Sequence, residues 1–158
     1  MARKKPSLYL ISVLLFMLIL PVACILYQHK EDEVPPGWEL TGKWFVFWSV
    51  GIRLFIAGAR QVTKPEFTAK EIFHINGTES LIIIKELGFG NLSIGLLGML
   101  SIIKPAWCQP AAIVGGLYFG LAGLLHVTKK PDSRNELIAM ISDLYIFVML
   151  LLYLVFTL

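Results

Sequence analysis

Residues 81–103 read LIIIKELGFGNLSIGLLGMLSII, and this run decides the fold. Coiled into a helix it measures about 35 Å at 1.5 Å per residue, enough to cross the roughly 30 Å hydrocarbon core of a bilayer. Lys104 and Pro105 close it, and similar charged clusters separate further apolar runs on both sides. A water-soluble chain of 158 residues would cover one apolar core with a charged surface. Here 56% of the residues are hydrophobic and 16% charged, and the two kinds alternate in blocks. The long blocks are spans and the clusters between them are loops.

Working outward toward the C-terminus, a fourth span covers about 111–127 and ends at Lys129, Lys130 and Pro131, and a last one covers about 137–158. Toward the N-terminus, a second span at about 44–59 is short enough to be a partial crossing and carries Arg53 near its middle. The first, about 7–27, follows Arg3, Lys4 and Lys5. Its length, and Pro21 ahead of Val22, Ala23 and Cys24, favour a retained span over a cleaved signal peptide. Between Arg60 and Glu79, the Thr68 to Glu71 spacing suits a capping box, and Phe67, Ile72, Phe73 and Ile75 supply an apolar side. That stretch predicts a short interfacial helix on the cytosolic membrane surface. The expected fold is therefore all-α: one membrane domain, residues 1–158, built as a bundle of about five transmembrane helices.

Loops rich in Lys and Arg stay in the cytosol. With the N-terminus inside, the cytosolic segments hold Arg3, Lys4, Lys5, Arg60, Lys64, Lys70, Lys129, Lys130 and Arg134, against Lys30, Lys43 and Lys104 outside. The expectation is a multi-pass protein of the cytoplasmic (inner) membrane with its N-terminus cytosolic and its C-terminus external. Trp38, Trp44, Trp48 and Trp107 then gather near the external interface, as do Cys24 and Cys108. The two cysteines could form a disulfide in an oxidising compartment, but two unpaired apolar thiols are the preferred reading. Glycosylation triplets begin at Asn76 and Asn91, but one falls in a cytosolic loop and the other inside a span, so neither is expected to be modified.

Helices associate in lipid through small residues that let backbones approach. Gly88, Asn91, Gly95 and Gly98 recur on one face of the third span, and Ala112, Gly116, Gly120 and Gly123 on one face of the fourth. These stripes predict that the third and fourth spans form a tight antiparallel pair, with Asn91 hydrogen-bonded across it.

Charged groups inside a span cost roughly 2.5 to 3.5 kcal/mol each at the centre, so each needs a partner, water or an escape to the interface. Arg53, Glu86 and Asp143 lie at a shared depth, about 7 to 11 Å from the cytosolic ends of their helices. His126 belongs to the same leaflet, Lys85 is close enough to the helix end to snorkel out, and Glu136 and Asp143 form an acidic column on one face of the last span. The four-residue polar layer Arg53, Glu86, His126 and Asp143 supports two readings: a cytosol-facing pocket that moves protons or holds a small ligand, or an ion pair that fixes helix register.

Several function classes are disfavoured. The basic residues form no continuous face for a phosphate backbone, so nucleic acid is not an expected partner. No HExxH, GxSxG or phosphate-binding loop occurs, His29, His74 and His126 fall on separate segments, and neither cysteine has metal-ligand spacing. No metal, cofactor or catalytic residue is assigned. The expected partners are the lipid bilayer and another membrane protein or a second copy of the chain. The preferred expectation is a non-enzymatic accessory or interaction subunit, and the alternative is a small proton-linked carrier or ligand-binding membrane protein.

Four segments carry a resemblance: GIRLFIAGARQ from Gly51 to Gln61, ELGFGNLSIGLLG from Glu86 to Gly98, GGLYFGLAGLLH from Gly115 to His126, and SDLYIF from Ser142 to Phe147. Together, over roughly residues 44–155, they resemble an uncharacterised family of small bacterial and archaeal membrane proteins, classed as a domain of unknown function. More distantly the chain is similar to the DoxX-like four-helix membrane proteins, from which it departs by an extra N-terminal span. The resemblance implies a helical bundle and no transferable activity.

Overall fold

The computed structural model describes residues 8–33, 35–73, 75 and 77–158, and every regular element among them is helical. Among the described residues, five helices are long and apolar enough to cross a membrane: α1 Leu8–Glu31, α2 Trp38–Thr63, α4 Ser80–Leu100, α5 Pro105–Lys129 and α6 Arg134–Thr157. The short α3 is Pro65–Glu71. Arg3, Lys4, Lys5, His74 and Asn76, on which parts of the sequence reading rest, lie outside the described residues.

The second helix is longer than the apolar run read from the sequence and, at 26 residues, is long enough to cross a membrane. It begins at Trp38, six residues before the apolar run, because Gly37 ends the Pro-rich loop in extended backbone and Thr41 returns both its N–H and its hydroxyl to the Gly37 carbonyl. Likewise α3 starts at Pro65 rather than at a Thr68 cap. Proline is pre-set for the first helical position, and Thr68 lies buried inside the helix.

α2 is the centre of the bundle. On one side Trp48 Nε1 donates to Cys24 Sγ of α1 at 3.3 Å, and Lys43 and Trp44 both donate to Gln28 Oε1. On another, Trp38 stacks on Phe156 of α6 with ring centroids 5.0 Å apart. Val46 and Val50 are fully buried, and Val50 fills the space above Gly115 of α5.

The glycine stripes do not face each other. A Cβ on Gly98 of α4 would stand 2.6 Å from the backbone nitrogen of Gly51, and one on Gly58 of α2 would stand 2.6 Å from the Gly88 carbonyl oxygen. The α4 stripe therefore meets α2 backbone to backbone. The α5 stripe meets α6 instead, where Gly120 receives Phe147 and Gly123 receives Leu144. The expected tight pair of the third and fourth spans is corrected on this point. A stripe of small residues marks a face that is approached closely and leaves open which helix approaches it.

The cysteines are free. Cys24 looks toward Trp48, whereas Cys108 is buried in the core cluster with Tyr153, so each thiol has its own neighbour on a different helix and the disulfide is not made.

Both α1 and α2 widen locally into π turns, at Leu15–Ile19 and Val46–Arg53. In α1 the cause is Pro21. Leu20 N–H reaches back five residues to Leu15, and Pro21, next in that pattern, has no N–H to offer Phe16. The fully buried Ser49 hydroxyl of α2 donates to the Phe16 carbonyl at 3.4 Å in its place. The two widened turns thus lie side by side, and Arg53 closes the one in α2.

Candidate functional site

Below those turns the helices part around a cavity of about 510 Å³. It lies toward the end of the bundle that carries Arg60, Lys70, Lys129 and Lys130, and all five long helices line it, with Phe67 and Thr68 of α3 across its end. Tyr9 comes from α1, Arg53 and Gln61 from α2, Asn91 from α4, Tyr118 and His126 from α5 and Asp143 from α6. The rest of the wall is largely Leu, Ile, Ala and Phe, and the volume falls within the roughly 300 to 1,000 Å³ usual for small-molecule sites.

Arg53 reaches the cavity from the last position of the α2 π turn. Its guanidinium carbon lies 5.5 Å from the centroid of the Tyr9 ring, and its Nε is buried with no hydrogen-bond acceptor among the described residues. Asp143 stands half-buried on the same cavity, yet no nitrogen–oxygen contact within 4.0 Å joins it to Arg53. They share a cavity without forming a direct ion pair.

Asn91 was expected in a helix-packing role, and it does link α4 to α2: its Nδ2 donates to Gln61 Oε1 at 2.7 Å. That bond leaves Asn91 Oδ1 without a donor among the described residues, although the side chain is only 2% exposed. Arg53 Nε and Asn91 Oδ1 are thus buried atoms without hydrogen-bond partners among the described residues, on two side chains that line the cavity.

His126 stands on the wall between this cavity and a smaller one of about 220 Å³, lined also by Lys129, Lys130, Asp132 and Glu136. Its Nδ1 is 3.7 Å from Glu136 Oε1, just beyond hydrogen-bond range. Glu136 is held by the start of α6, its N–H donating to Ser133 Oγ at 3.1 Å and its Oε2 accepting from Asp132 N–H at 2.9 Å. The acidic column read from the sequence is therefore divided, with Glu136 in the outer chamber, Asp143 in the inner one and His126 between them.

Glu86 is the exception in the expected layer. It is exposed, on the α4 face that also shows Ile82 and Ile83 to the outside, away from the glycine stripe. Near the start of α4 a carboxylate on that face reaches the interface without needing a partner. Of the expected layer, Arg53, His126 and Asp143 meet at the cavity and Glu86 does not.

Sequence reasoning missed Tyr9, Tyr118 and Gln61. Their signal was weak, because a tyrosine in a span reads as an interfacial or core aromatic, and Gln61 stood next to a helix end already marked by Arg60. Arg60, counted from the sequence among the cytosolic basic residues, has its guanidinium carbon 3.6 Å from the Phe67 ring centroid, tying α3 across the cavity.

One family model, described as a family of unknown function (DUF6790), matches residues 8–157. The match takes in α1 as well as the segments from which the resemblance was read. No curated protein and no solved structure matches the chain.

Proposed function

The chain belongs to this family of unknown function, DUF6790, and we propose that it is a multi-pass membrane protein that binds a small amphipathic molecule in the cavity between its helices. The observation that carries this reading is that two residues lining a largely apolar cavity of about 510 Å³, Arg53 and Asn91, each bury a polar atom, Nε and Oδ1, without a partner among the described residues. Buried polar groups left without partners are destabilising, by about 1 to 3 kcal/mol each, and a chain that keeps such a pair on one cavity is supported in that arrangement by a ligand that satisfies them. In this reading the N-terminus is cytosolic, and the cavity opens toward the cytosolic leaflet of the inner membrane.

A role as accessory subunit rests on no comparably built feature. The outward side chains of Ile82, Leu117 and Val155 are of the kind that a bilayer covers as well as a partner does. A proton-linked carrier is the second reading, and one observation favours it: His126 lines both chambers, with Glu136 on one side and Asp143 on the other. Opening of that wall would connect the ligand site to water at the basic end.

The test is to extract the protein in native lipid discs and analyse the organic extract of the purified sample. Wild type is expected to carry one small molecule enriched over bulk lipid in stoichiometric amount, and Ala57→Phe or Ala122→Phe, which fill the cavity, are expected to lose it. Wild-type protein that carries nothing above the lipid background, in discs never exposed to detergent, would sink the reading.

A further inference from the structure

The charges around the cavity narrow the class of ligand, an inference that rests on the ligand-binding reading above. Arg53 and Asp143 both line the space, on α2 and α6, without direct contact. An anionic head attracted by Arg53 is repelled by Asp143, and a cationic head attracted by Asp143 is repelled by Arg53, so a head of either sign gains one interaction at the expense of the other in a site where charges interact strongly. A neutral head meets neither repulsion, and with a small shift of the two side chains it would accept from Arg53 Nε and donate to Asn91 Oδ1, both buried without partners among the described residues. Hydroxyl groups do both, as donors and acceptors in one group.

The route in is lateral. Ile56, Leu121 and Leu125 line the cavity and also stand 45%, 66% and 46% exposed on the outer surface. These three apolar residues belong both to the cavity wall and to exposed surface of the kind a bilayer covers. A molecule dissolved in the hydrocarbon reaches the site without crossing a polar barrier, and a chain too long for the cavity trails back into the bilayer. On these grounds we infer that the ligand is a neutral, hydroxyl-bearing single-chain amphiphile taken up from the membrane, with its head between Arg53, Asn91 and Asp143.

The experiment uses full-length protein in lipid nanodiscs, incubated in turn with three probes sharing one alkyl chain: monolauroylglycerol, lauric acid and dodecylamine. Native mass spectrometry counts the adducts that stay with the released protein. The expected result is one monolauroylglycerol per chain, with the acid and the amine each bound about tenfold less or weaker still. Asp143→Asn is expected to admit lauric acid, and Arg53→Gln to admit dodecylamine, each without admitting the other. If the acid or the amine binds wild type as well as the glyceride does, the head-group inference is overturned while the binding cavity stands. If none of the three binds, the inference and the reading beneath it fall together. The wild-type comparison decides between these outcomes even where a variant does not fold, and folded variants with unchanged selectivity would remove Arg53 and Asp143 as the selecting groups.

Discussion

Ser49 and Pro21 show how a single hydroxyl can stand in for a missing backbone donor. The proline leaves the Phe16 carbonyl without its helical partner and Ser49 supplies one from the neighbouring helix. Ser49→Ala is expected to destabilise the protein by about 1 kcal/mol. In a Pro21→Ala background, where residue 21 regains its N–H, the same change is expected to cost much less, and a double-mutant cycle on thermal unfolding in detergent measures the difference. Equal costs in both backgrounds would separate the hydroxyl from the proline. Arg53 and Asp143 behave differently at this scale. With no direct ion pair between them, Asp143→Asn is expected to leave the melting temperature unchanged or raise it, since a desolvated charge has been removed. Marked destabilisation of Asp143→Asn, reversed by adding Arg53→Gln, would instead make the two a structural pair.

At the scale of elements, the same residue type plays unlike parts. Where α2 and α4 touch backbone to backbone, no side chain can yield, so Gly98→Ala is expected to cost about 1 to 3 kcal/mol or to push the helices apart. A Cβ on Gly116 meets only Leu150 at an ordinary 3.6 Å, and one on Gly90 meets nothing, so alanine at either is expected to be neutral or slightly stabilising through helix propensity. Thermal denaturation of the three variants side by side separates packing glycines from incidental ones. The small α3 depends on less. Arg60 over Phe67 holds it across the cavity, a contact worth about 0.5 to 2 kcal/mol. Phe67→Ala is expected to raise amide hydrogen exchange in residues 65–71 while leaving exchange in α2 and α4 unaltered, and unchanged exchange in α3 would mean that other contacts hold it.

For the whole molecule, the five-helix architecture is legible in the amino-acid sequence, because the bilayer sets the length of a span and loops punctuate the chain. Topology is open to a direct check: in a background with Cys24 and Cys108 replaced by serine, a cysteine at Glu33 is expected to react with an impermeant maleimide in intact cells, and one at Asp132 only after lysis. The reverse pattern would invert the proposed orientation. Among the candidate site residues, Arg53, His126 and Asp143 were legible because a charge or an imidazole within a span is conspicuous by its cost. Glu86 carried the same signal and proved to face outward, since depth along a helix says nothing about azimuth. The glycine stripes were legible as faces, whereas their partners, α2 for one and α6 for the other, were not. The order of residues alone dictates how many helices there are, roughly where they end and which side chains a bilayer would not tolerate, all consequences of one-dimensional patterns in composition. Which helices meet, that Tyr9, Asn91 and Tyr118 join Arg53 and Asp143 around one cavity, and that Arg53 Nε and Asn91 Oδ1 stay unmatched there emerge only in the folded bundle, because these depend on how each helix is rotated about its axis, and that rotation is set by contacts between residues far apart in the chain.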